Sequence, residues 1–185
     1  MKKNVFKVAT VIVALVMIGF SAYAQEAGEM AAGGNIGISA GEGVTNFGIG
    51  AKFQYNVTKE IRGEGSFTYF LGDFNYWDLS VNGHYLTGIP NVPLLKVYPL
   101  AGLSLNGFGG GGGVVEYYNS DTGKWEKDSD DDYSSGSGTT FGINLGAGAD
   151  YKLTDKISVG VELKYRIGFD DWNRFGIFAG VVYKF

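Results

Sequence analysis

The chain has no cysteine. A disulfide framework, a thiolate zinc site and a lipidated N-terminal cysteine are all excluded, so neither a stapled secreted module nor a lipoprotein fits. Proline is scarce, at three residues, and there is one histidine, His84. Long apolar runs are also missing. The only candidate, from Val8 to Phe20, falls short of the roughly 18 apolar residues that a membrane helix needs. A mean hydropathy of +0.01 is likewise too low for a helical membrane protein. Basic patches interleaved with aromatics do not occur, which argues against nucleic acid as a partner.

The apolar run does have a use. Lys2, Lys3 and Lys7 flank it, and Ala22-Tyr23-Ala24 follows, the order of a secretory signal peptide cleaved before Gln25. Residues 1–24 are therefore expected to leave, and residues 25–185 to form one domain. Losing the three signal lysines takes the formal charge from −4 to −7.

Glycine is abundant, 31 residues without a collagen-like period, and 15% of the chain is aromatic. Glycines set among alternating apolar residues suit strands packed closely in a small barrel. The alternation is clearest at the end of the chain. Ile157, Val159, Val161, Leu163, Tyr165, Ile167 and Phe169 alternate with Ser158, Gly160, Glu162, Lys164, Arg166 and Gly168. After a break at 170–173, Phe175, Ile177, Ala179, Val181, Tyr183 and Phe185 continue the apolar row. Period two over both segments predicts a strand hairpin, each strand long enough to cross a hydrocarbon layer.

The same pattern predicts six earlier strands: 34–41, 47–56, 61–71, 77–85, 95–106 and 141–152. Gly88, Pro90 and Pro93 are expected to end pairing between the fourth and fifth, and Pro99 to impose a bulge or an unpaired position in the fifth. Tyr55-Asn56-Val57-Thr58-Lys59-Glu60-Ile61 is echoed by Tyr151-Lys152-Leu153-Thr154-Asp155-Lys156-Ile157, two turns expected on one side of the barrel. With the connections near 58, 90 and 155 on the periplasmic side, the single long loop, 107–138, falls outside. Within it, 114–118 and 124–127 are spaced to form a hairpin.

Alternation does not say which face points inward. A soluble lipocalin-like barrel is the alternative, with the oily rows filling a ligand cavity. Those rows carry Phe, Tyr, Trp, Ile and Leu on every strand and would overfill so small a cylinder. The polar rows, rich in glycine and serine and containing both charge signs, suit a narrow lumen. The expected lumen network comprises Lys52, Arg62, Glu64, Asp78, Glu162, Lys164 and Arg166.

The final strand, with Val181, Tyr183 and Phe185, together with the signal peptide, resembles the small bacterial outer-membrane β-barrel family that includes the OmpA and OmpX type transmembrane domains. The resemblance implies an all-β, eight-stranded antiparallel up-and-down transmembrane β-barrel in the bacterial outer membrane, monomeric and embedded in outer-membrane lipid. Val181, Tyr183 and Phe185 would then be the signal read by the outer-membrane assembly machinery. It also implies a non-enzymatic protein acting in envelope integrity or through an extracellular ligand at loop 107–138. No periplasmic peptidoglycan-binding domain is expected after Phe185, so cell-wall tethering is not carried over. A narrow porin-like channel is the alternative, and a lipid-modifying enzyme the third reading. No cofactor or metal is expected. The acidic stretch 124–132 lacks calcium-loop order, Gly109–Gly113 lacks the phosphate-loop lysine, and His84 lies near the periplasmic turn rather than the outer leaflet.

Overall fold

The computed structural model describes residues 27–41, 43–72, 74–108, 116–119, 124–127 and 138–185. The expected signal peptide, Gly109–Gly113 and the acidic stretch from Asp128 to Asp132 lie outside the described residues.

Eight long strands close into a barrel: β1 (Met30–Gly41), β2 (Val44–Asn56), β3 (Ile61–Gly72), β4 (Tyr76–Tyr85), β6 (Val92–Phe108), β9 (Gly138–Lys152), β10 (Ile157–Gly168) and β11 (Arg174–Lys184). Each is antiparallel to its neighbour, and β11 pairs back onto β1 from Ala31↔Lys184 to Ala40↔Phe175. Among the described residues closure leaves no open edge strand, a necessity where no water is at hand to satisfy unpaired backbone groups. Short β5 (Thr87–Ile89) extends the β4–β6 hairpin, and β7 (Glu116–Asn119) pairs with β8 (Lys124–Lys127) inside the long loop, as the sequence spacing predicts.

The two faces decide between lipid and a soluble cavity. Leu163 is 49% exposed and Phe141 61%, whereas Glu162 is 5% and Lys164 9%. Apolar rows point outward on all eight long strands, and the inward rows are mostly polar or small with a few large rings among them, the arrangement of a transmembrane barrel. The lipocalin-like alternative is overturned. A one-residue register slip would exchange the faces entirely, so the alternation fixes the pairing as well as the orientation.

Several expected boundaries move. β1 starts at Met30 rather than Gly34, β2 at Val44 rather than Phe47, β6 at Val92 rather than Leu95 and β9 at Gly138 rather than Phe141. Backbone pairing carries each strand beyond its alternating stretch.

Pairing does not end at residues 87–93 either. Thr87 and Gly88 face Val97 and Lys96, and the register shifts only between Gly88 and Ile89. Pro90 and Asn91 make the reversal, with Asn91 in the left-handed region (φ 68°), which asparagine tolerates. Pro99 interrupts one ladder alone. Toward β9 it faces Ala147 without a register shift. On the other side Leu86 leaves the ladder, and its N–H donates to the Glu60 carbonyl at 2.6 Å.

The repeated sequence forms one turn twice. Thr58 Oγ1 accepts from the N–H groups of Glu60 (3.2 Å) and Ile61 (3.0 Å), and Thr154 Oγ1 accepts from those of Lys156 (3.2 Å) and Ile157 (3.0 Å). Both turns lie at the end of the barrel where β1 begins and β11 finishes.

Candidate functional site

All seven residues of the expected lumen network are buried inside the barrel. Taking charges out of water costs several kcal/mol per ion unless partners replace the solvent, so what each side chain meets matters. In the turn-side half, Arg62 on β3 donates from Nη1 to Asp150 Oδ2 on β9 at 2.6 Å. Its Nε and Nη2 lie 3.1 and 3.0 Å from His84 Nδ1 on β4. Lys52 reaches Glu64 Oε2 at 3.4 Å, and Gln54 Nε2 donates to the same oxygen at 2.7 Å.

Nearer the loops, Lys164 lies 3.9 Å from Asp78, whose carboxylate accepts from Ser80 Oγ (2.5 Å) and Asn106 Nδ2 (2.6 Å). Arg166 has no carboxylate within ion-pair distance among the described residues. It donates to Ser104 Oγ, to the Trp172 carbonyl at 2.7 Å and to the Thr140 carbonyl at 3.2 Å.

The sequence reading missed two clusters of large side chains inside the lumen. At the loop end, Phe70, Tyr76 and Phe178 form a buried cluster with Phe74, Phe108 and Trp172 packed against it. The Phe70 and Tyr76 rings stack at 4.4 Å, and Phe108 meets Trp172 edge-on at 4.7 Å. Beneath them Arg174 donates to Ser39 Oγ (2.9 Å) and Asn46 Oδ1 (2.7 Å), with its guanidinium 5.0 Å from the Trp172 ring. Each such cation–π contact contributes about 0.5–2 kcal/mol.

At the turn end, Leu86, Tyr98 and Leu100 form a second buried cluster. Tyr98 stacks on His84 at 4.5 Å and carries the Arg62 guanidinium 4.7 Å from its ring. Two glycines make room for these rings. A Cβ at Gly148 would overlap the Tyr98 ring, and one at Gly48 would come within 2.6 Å of Phe70. The available signal was parity: Tyr98 and Phe178 stand on the polar rows, where a large ring has to enter the lumen.

Against the loop-side cluster, a cavity of about 20 Å³ is bounded by Phe70, Tyr76 and Phe178 together with Asp78, Lys164 and Arg174, among others. It has room for one water. His84 is enclosed by Arg62 and Tyr98 inside the barrel. Val181, Tyr183 and Phe185 are exposed on the outer side of β11, and the Phe185 N–H donates to the Met30 carbonyl at 3.1 Å. In the exposed turn after β9, the hydrogen bond and charge of Lys152, 2.7 Å away, hold the Asp155 carboxyl below the usual carboxylate range.

An inside-out closed barrel with a polar, plugged lumen defines a small transmembrane β-barrel protein. The family described as "outer membrane protein beta-barrel domain" matches residues 10–185, and the chain belongs to it. Its place is the bacterial outer membrane. The barrel is similar to the N-terminal β-barrel domain of Pseudomonas aeruginosa OprF (TM-score 0.61, 18% identity, 87% of this chain and 100% of that one). It is also similar to Neisserial surface protein A (0.59, 18%, 85% and 96%). A third similar barrel is Ail, the attachment invasion locus protein of Yersinia pestis (0.52, 16%, 87% and 100%). At these identities the likeness is one of fold. No curated protein matches the chain in sequence.

Proposed function

We propose that the chain is a non-enzymatic protein of the outer-membrane surface, acting in envelope integrity or through a ligand held by its outer loops, of which 107–138 is the longest. The observation that carries this reading is the closed lumen. Aromatic clusters toward both ends and ion pairs between them occupy the lumen with side chains, and the cavity of about 20 Å³ beside the loop-side cluster has room for a water rather than a solute. With the interior given over to holding the barrel together, contacts with other molecules fall to the surface. The β7–β8 hairpin gives the long loop an element of its own. The name of Ail, an attachment invasion locus protein, is in keeping with surface contact in a barrel of this fold.

On this reading residues 1–24 direct export and are removed. Val181, Tyr183 and Phe185 are read during assembly, and the mature barrel is a monomer in outer-membrane lipid. Protease treatment of intact cells is expected to cut within 107–138 and to leave the rest protected. Barrels reconstituted in planar bilayers are expected to pass no current. Discrete conductance steps, altered on replacing Lys164 or Arg166, would overturn the closed-lumen argument in favour of a channel, and altered lipid A masses on overexpression would favour an enzyme.

A further inference from the structure

Glu162 stands apart in the network. Lys52, Arg62 and Lys164 are engaged with Glu64, Asp150 and Asp78, and Glu162 makes no ion pair among the described residues. Its Oε2 is buried without a hydrogen-bond partner, and so is His84 Nε2. These two residues and Glu64 nevertheless come together. One carboxylate oxygen from each glutamate and a ring nitrogen of His84 all lie within 4.8 Å of one another. Three points so spaced always admit a position at most about 2.8 Å from each (4.8 Å divided by √3), which is hydrogen-bond distance.

The chemistry of the three groups selects the occupant. Arg62 can only donate, and it donates to His84 Nδ1, so in the neutral ring the proton sits on Nε2 and that nitrogen is a donor. With Nε2, the ring nitrogen left without a partner, turned to the two glutamates, the site offers one donor and two carboxylate acceptors. A metal ion needs three lone pairs, and the Nε2 lone pair is used. Lys52, 3.4 Å from Glu64, and the Arg62 guanidinium on the imidazole also oppose further positive charge. An anion needs donors where two carboxylates stand. A water accepts one hydrogen bond and gives two, the complement required.

We infer that Glu64, His84 and Glu162 form an internal site for one bound water, which ties Glu162 of β10 to β3 and β4 across the lumen. The inference rests on the barrel interior and is independent of what the outer loops contact.

His84 is the only histidine, so its ring resonances are unambiguous in a ¹⁵N-labelled barrel refolded into lipid nanodiscs. The wild type is expected to show the Nε2–H tautomer and a cross-peak from that proton to a long-lived water. E162L should abolish the cross-peak and keep the tautomer, because Arg62 still donates to Nδ1. E162Q, which retains an acceptor, should keep both, and matching backbone amide spectra establish that each variant is folded. If E162L fails to fold, the wild type and E162Q decide. An Nδ1–H tautomer, a missing cross-peak in the wild type, or one equivalent of added Zn²⁺ shifting the His84 resonances would overturn the assignment.

Discussion

The two halves of the lumen hold their arginines differently. On the turn side, Arg62 faces a carboxylate, Asp150, and an imidazole, all deep in the barrel. On the loop side, Arg166 and Arg174 are surrounded by hydroxyls, carbonyls, an asparagine and aromatic faces, and no described carboxylate is within ion-pair distance of either. The Trp172 ring serves both of them at 5.0 Å. A buried ion pair is costly to break because the surviving partner stays behind as an uncompensated charge, whereas a guanidinium held by neutral groups leaves only neutral groups when removed. The turn-side half should therefore be the brittle one and the loop-side half the tolerant one.

The largest effect is expected at Arg62. R62M strands Asp150 and should cost about 3–5 kcal/mol in urea unfolding of the refolded barrel. Adding D150L should recover most of that loss, and a double variant as unstable as R62M would break the comparison. R174M should cost less, about 1.5–3 kcal/mol, since charge-assisted hydrogen bonds are lost without stranding a carboxylate. An R174M penalty above that of R62M would reverse the assignment of the two halves.

Smaller effects sharpen the picture within the turn end. T58A and T154A each remove a hydroxyl that accepts two backbone N–H groups, and each should cost about 0.5–1.5 kcal/mol. The backbone part of the two turns is alike, but Thr58 Oγ1 also donates to Glu60 Oε2 at 3.1 Å, so T58A should cost the more of the two; a larger loss for T154A would mean that its turn owes its shape to something else. The smallest change belongs to Asp155. Its folded pKa lies below the unfolded one, so its contribution is present at neutral pH and lost as pH falls through the lowered value. The carboxylate is fully exposed, so D155N should unfold at the wild-type urea concentration at pH 7.

Much of this architecture was legible in the residue pattern, for identifiable reasons. The row from Ile157 to Phe169 has one spacing consistent with a half-apolar strand, and the crowding of Phe, Tyr and Trp on such rows assigned them to lipid. The Tyr-x-x-Thr echo marked two like turns because the threonine hydroxyl acts locally, on N–H groups two and three residues ahead. Strand ends were less legible. Met30–Gly33 and Gly138–Thr140 join strands through partners far along the chain, as in Gly33↔Lys52 and Asn106↔Thr140, and no local pattern marks that.

By itself the sequence determined that the strands alternate, that eight of them are long, the order of the turns between them, and that the charged row has the composition of an interior. Period two and turn chemistry are local properties, carried by residues within a few positions of one another. Only the tertiary structure decided which charge meets which, that Tyr98 and Phe178 are buried in clusters inside the lumen, and that Glu64, His84 and Glu162 converge. Those meetings depend on strand stagger around a closed cylinder, which sets side chains from distant strands at one height, and no stretch of chain records that stagger alone.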